Sequence, residues 1–177
     1  MKKKVILDTL ILLSLGALSS LSLPPINLFL INFFSFSFFF IFLHNKLNNK
    51  LSKKTFFYYG WLFGYGYFLT SLYWITISLT FDKNLQYLIP ISLIIIPAFL
   101  ALFYGLITYF FSLFKIKSLI SSFFLFSLLF GLVEFLRGNI LTGFPWNLTI
   151  YSMSNSVNFL SFISVIGTYS FNLIIIS

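Results

Sequence analysis

Residues 87–117 read YLIPISLIIIPAFLALFYGLITYFFSLFKIK. From Tyr87 to Phe114 the stretch is continuously apolar, with Pro90 and Pro97 in its first half, and it exceeds the roughly 18 to 20 residues that cross a hydrocarbon core. Backbone polar groups in lipid must be satisfied within a helix or a closed barrel, and a run that is apolar throughout rather than alternating selects the helix. Lys115 and Lys117 end it.

Similar runs lie on both sides. Upstream are residues 5–23, 26–43 and 56–79; downstream are residues 118–136 and 157–177. The first stops at Pro24 and Pro25, two successive imino acids that cannot continue a helix. The expected fold is an all-α membrane protein: a polytopic bundle of about six transmembrane helices, one domain over residues 1–177, with no soluble domain. A cleaved signal peptide is the rival reading of the first run, because Ala17-Leu18-Ser19 resembles a small-residue cleavage site. Asp8 inside that run, and its length, favour a retained helix.

Composition agrees, since 59% of the chain is hydrophobic and only 8% charged, against roughly 25% charged in soluble domains. The formal net charge of +8 is not a nucleic-acid face, because the lysines are confined to short connections. Lys2, Lys3 and Lys4 precede the first run, Lys46, Lys50, Lys53 and Lys54 follow the second, and Lys115 and Lys117 follow the fourth. The positive-inside bias puts all of these, and the N-terminus, on the cytoplasmic side. The Pro24-Pro25 turn and the connection over residues 137–156 then share the opposite face. Cysteine is absent, which removes disulfides, thiolate metal sites and a cysteine nucleophile from these residues. His44 is the only histidine and stands in a lysine-rich stretch read as a loop, so no metal site, cofactor site or His-based triad can be assembled. The 27 phenylalanines match an AT-rich coding bias and are not read as a binding device.

Glu134 is the most informative single residue, because a carboxylate inside an apolar run costs about 2.5 to 3.5 kcal/mol at a helix centre and less near an interface. Arg137 lies three positions on and shares its helix face, so the two can pair. Such a pair either fixes the end of the fifth span or anchors the following loop over a substrate opening. That loop holds Gly138 and Gly143, open to backbone angles closed to other residues, then Phe144, Pro145 and Trp146, with both aromatics suited to a headgroup boundary. Gly60, Gly64 and Gly66 give a small-residue spacing that admits a neighbouring helix, and Tyr73-Trp74 fits an aromatic belt. Asn147-Leu148-Thr149 matches a glycosylation sequon, a pattern too short to carry weight.

Glu134-Phe135-Leu136-Arg137-Gly138 followed by Thr142-Gly143-Phe144-Pro145-Trp146-Asn147 closely resembles a segment of apolipoprotein N-acyltransferases. Leu21-Ser22-Leu23-Pro24-Pro25, the stretch from Gly60-Trp61 through Tyr73-Trp74-Ile75, and Gly167-Thr168-Tyr169-Ser170-Phe171 agree in order, the last departing from the family at Ser170 and Phe171. The resemblance covers essentially the whole chain. It implies a multi-pass enzyme of the bacterial inner membrane that moves an acyl chain from a phospholipid to a cysteine thiolate, and then to the amine of a diacylglyceryl lipoprotein. The family's catalytic Glu, Lys and Cys belong to a periplasmic nitrilase-like domain, which is expected to be missing from residues 1–177. No catalytic residue is carried over. Glu134, Arg137, Thr142, Gly143, Phe144, Pro145 and Trp146 are expected to form the lipid-side, substrate-binding rim, with positional roles. The partners implied are membrane phospholipid, the lipoprotein and, in one arrangement, a separately supplied catalytic domain. A scaffold that lost its chemistry and a small unrelated transporter stay open as alternatives.

Overall fold

The computed structural model describes residues 2–49, 51–140, 143, 145–155 and 157–176. Every regular element among the described residues is helical: α1 (Lys2–Ser20), α2 (Leu30–Leu47), α3 (Lys53–Ser71), α4 (Ile89–Phe114), α5 (Leu119–Asn139), α6 (Val157–Ile166) and α7 (Thr168–Ile176). Short 3-10 segments cover Tyr73–Thr80, Lys83–Leu88 and Thr149–Met153. Against the six crossings expected, three segments among the described residues have the length and hydropathy of a membrane span: Leu30–Leu47, Lys83–Phe114 and Leu119–Asn139. α1 is made more polar by its lysines and Asp8, and α3 by Lys53, Lys54 and its tyrosines.

Three expectations need correction. The run over residues 56–79 is not one α-helix, because α3 stops at Ser71 and the chain tightens into the 3-10 segment Tyr73–Thr80. There the hydroxyls of Thr76, Ser78 and Thr80 each donate, at 2.7 Å, to the carbonyl three residues back, and this competes with regular helix bonding. The last run is divided at Gly167, whose φ of 84° ends α6 in the left-handed conformation that terminates helices. His44 lies within α2 rather than in a loop, its Nδ1 3.0 Å from Ser122 Oγ of α5.

α3 is the centre of the bundle, and its glycines explain why. A Cβ on Gly60 would strike the Tyr104 carbonyl and Thr108 of α4, and one on Gly64 would reach the Tyr104 side chain. Gly66 faces the other way, toward the Leu13 carbonyl of α1, while Gly16 of α1 lies against the Phe63 carbonyl. The small-residue spacing therefore serves two neighbours, and α1 answers with a glycine of its own. Such backbone approach maximises dispersion, the main attraction left once lipid replaces water. Around these contacts Phe39 stacks on Phe63 at 4.1 Å, and Phe36, Phe126, Phe130 and Tyr104 pack edge-on or tilted nearby, all buried.

At one end of the bundle Asp8 of α1 accepts from Lys46 Nζ of α2 at 2.5 Å and from Tyr59 Oη of α3 at 3.2 Å. The ammonium also lies 4.7 Å from the Phe42 ring centroid. Three helices are thus tied by one carboxylate. Lys53, Lys115 and Lys117 gather around a cavity that also includes the end of α2, so the lysine clusters meet at one end and the Trp146 loop lies at the other.

Candidate functional site

The last turns of α5 place Glu134 and Arg137 on the buried face, each 1% exposed. Their i,i+3 spacing sets the guanidinium Nη2 2.5 Å from Glu134 Oε2, the pairing expected from the sequence. The other terminal nitrogen, Nη1, donates to the Trp146 carbonyl at 2.9 Å, and the guanidinium carbon lies 5.3 Å from the Phe68 ring centroid. One buried arginine therefore joins the helix, the loop that follows it and the wall of α3. A bidentate, always-charged group suits that task, since its donors point in fixed directions.

The loop has further ties. Tyr67 Oη donates to the Asn147 carbonyl at 2.9 Å, and Asn147 Nδ2 donates to the Ser71 carbonyl at 3.1 Å. Asn147 itself has a φ of 55°, a conformation its short amide tolerates better than most side chains. Gly143 has a φ of 74°, and a Cβ there would sit 2.6 Å from the Gly138 carbonyl oxygen. Beyond the loop, Leu148 and Ile150 are buried, and Ile150 N–H donates to Asn172 Oδ1 of α7 at 2.9 Å.

Above these anchors Trp146 is 55% exposed and meets Trp74 edge-on, with ring centroids 5.9 Å apart. The two indoles border a cavity of about 1030 Å³ that extends to Leu18 and Leu21 at the end of α1 and to Pro24 and Pro25 in the following turn. Asn147 and Tyr151 close its remaining side. Its surface is mainly apolar, with seven hydroxyl side chains and the Asn147 amide among its lining, the chemistry of a pocket for an alkyl chain carrying a polar end. Among the described residues no group of three His, Cys, Asp or Glu side chains is gathered to hold a metal.

The rim residues named from the sequence divide in two. Glu134 and Arg137 lie inside and hold the loop, Gly143 is half-buried, and Pro145 and Trp146 are exposed. Of these, Trp146 lines the cavity. Thr142 and Phe144 lie outside the described residues. Tyr67, Ser71 and the Leu18–Pro25 side of the cavity were not singled out as site residues. Nothing local marks them, because the bond from Tyr67 to Asn147 spans 80 positions.

Over residues 15–177 the chain matches the family described as Apolipoprotein N-acyltransferase N-terminal domain. An apolipoprotein N-acyltransferase of Rickettsia prowazekii is 34% identical over 171 residues, which is 94% of this chain and 32% of that protein. One from Rhodopseudomonas palustris is 34% identical over 166 residues, 92% of this chain and 30% of its own length. One from Allorhizobium ampelinum is 34% identical over 150 residues, 78% of this chain and 27% of its own. The chain thus spans about a third of the length of these relatives. A buried Glu134–Arg137 anchor under the Trp146 loop, apolar helices and agreement along nearly all of the sequence lead to one assignment: the chain belongs to the apolipoprotein N-acyltransferase family, as its N-terminal domain.

Proposed function

We propose that these 177 residues form the membrane platform of an apolipoprotein N-acyltransferase. They insert in the bacterial inner membrane as about six crossings, α1 and α3 included, with the N-terminus in the cytoplasm. The platform presents an acyl chain to a nitrilase-like catalytic domain on the periplasmic side. There the chain passes from a phospholipid to a cysteine and then to the amine of a diacylglyceryl lipoprotein. The carrying observation is the roughly 1030 Å³ apolar cavity bordered by Trp74 and Trp146, at the end of the bundle away from the Lys53, Lys115 and Lys117 cluster. Arg137 holds the Trp146 carbonyl, so the loop bearing one indole wall is fixed in place. Holding a chain in one orientation is how a non-reacting domain lowers a barrier, by removing the entropy of alignment.

These residues include no cysteine, so the chain alone takes no part in covalent acyl transfer. Purified and supplied with labelled phospholipid and a diacylated lipopeptide, it should give neither acyl-enzyme nor triacylated product. A phospholipid with a photoreactive acyl terminus should label the Leu18–Ile26 and Trp146–Tyr151 peptides, and Trp146→Ala should reduce that labelling several-fold. Labelling spread evenly over the lipid-exposed Phe124 and Leu128 surface would overturn the assignment of the cavity. Addition of a separately made catalytic domain distinguishes a working platform, which restores transfer, from an inactive scaffold. A transporter is disfavoured because neither the interrupted α6–α7 stretch nor the 3-10 segment Tyr73–Thr80 that follows α3 carries an Asp, Glu, Lys, Arg or His.

A further inference from the structure

A second cavity, of about 550 Å³, lies at the opposite end of the bundle, between the α2–α3 turn and the end of α4. Lys53, Lys115 and Lys117 line it together with Asn49 and Ser52, and no carboxylate does. Lys115, with a φ of 46°, ends α4 in a left-handed turn, and it and Lys117 both reach the same wall. Three exposed lysines around one cavity make a site attractive to an anion, and no carboxylate of residues 1–177 lies among them. The chain has three acidic residues in all. Asp8 is bonded to Lys46 and Glu134 to Arg137. Asp82 caps the segment before α4 through Asn84 N–H, a full 26-residue helix away from Lys115.

The rest of the lining narrows the source of the anion. Leu47, Phe56 and Ile116 give the cavity an apolar side beneath its lysines. An amphiphile with a phosphate head and a hydrocarbon body fits both parts, whereas a free inorganic anion uses only one. The cavity also lies where the long apolar helices α4 and α5 end and begin, the depth at which a bilayer presents its phosphates. We propose that this cavity is a binding site for the phosphate headgroup of an anionic phospholipid in the leaflet at the lysine end, with Lys53, Lys115 and Lys117 as its ligands. The site is independent of what the Trp146 end handles, and of which way the bundle faces.

The test is native mass spectrometry of the full chain released from detergent micelles containing phosphatidylglycerol or phosphatidylcholine of the same chain length. One phosphatidylglycerol should stay bound where phosphatidylcholine does not, and millimolar inorganic phosphate should not displace it. The triple change Lys53→Gln, Lys115→Gln, Lys117→Gln should weaken retention on the order of a hundredfold, whereas Lys3→Gln, Lys4→Gln, Lys83→Gln, with the same change in net charge, should leave it intact. Asn49→Asp places a carboxylate on the wall at an exposed position without removing a lysine, and should weaken retention roughly fivefold. Equal retention of the two lipids, equal loss in the control triple, no effect of Asn49→Asp, or displacement by inorganic phosphate would each overturn the proposal.

Discussion

At the loop end Glu134 and Arg137 sit three residues apart on one helix, with side chains 1% and 0% exposed. At the lysine end Asp8 and Lys46 sit 38 residues apart on two helices, each side chain 12% exposed. The local pair lies within one helix, although its guanidinium also meets the Phe68 ring of α3. It fixes a loop, because the arginine has donors to spare for the Trp146 carbonyl. The distant pair does hold helices together, and Tyr59 extends it to a third. Burial separates them further. Lys46 has a long flexible stem and, once released, can extend to the interface, whereas Arg137 is walled in by Phe68 and the loop it supports. The same interaction therefore positions a site at one end and joins helices at the other.

Several measurements would break or sharpen this contrast. The largest effect is all-or-none. Single cysteines at Ser52 and Asn139, placed in a chain that has none, should react with an impermeant thiol reagent from opposite sides of the membrane. Reaction from one side would destroy the distinction between the two ends. Next, Arg137→Ala leaves the Glu134 carboxylate buried and unpaired, and should cost about 3–5 kcal/mol in detergent unfolding followed by helical circular dichroism. The double change Glu134→Leu with Arg137→Met should cost clearly less than the two single changes summed, and simple additivity would argue against pairing. Third, the close approach of α1 and α3 lies toward the loop end. Gly16→Ala should cost about 1–3 kcal/mol, because its Cβ meets the Phe63 carbonyl and backbone cannot yield. Gly105→Ala should cost less, since the Phe57 ring it meets can turn aside. The smallest effect belongs to Asp8→Asn, about 1–2 kcal/mol in the same unfolding assay, because Lys46 has somewhere to go. A cost equal to that of Arg137→Ala would remove the difference drawn between the pairs.

Much of this was legible in the residues, and the limits have physical causes. The helical class and the grouping of lysines follow from long apolar runs separated by charge, which need no knowledge of packing. Glu134 and Arg137 announced themselves because two charges three apart in apolar sequence have few alternatives to each other. The glycines of α3 were readable as contact points, but which neighbour each would face depends on where α1 and α4 pack, and Gly16 gave no sign of its own. The break at Gly167 was missed because one glycine in an apolar run is as compatible with continuation as with a left-handed stop. The large cavity was invisible for a different reason: its walls come from residues 14–26, 70–74 and 146–154, far apart in the sequence.

The Asp8 cluster also sets an order of events during synthesis. Asp8 is made with the first helix, yet its partners Lys46 and Tyr59 are 38 and 51 positions behind it. At roughly 5 to 20 residues per second, the ribosome needs on the order of several seconds to deliver them. Through that interval the carboxylate stays at the headgroup boundary or is sheltered by the insertion machinery. The first helix therefore settles into its final place against its neighbours only after the third has arrived. A chain interrupted between Lys46 and Tyr59 would hold an incomplete clamp, which makes α1 the earliest segment made and one of the last to become committed.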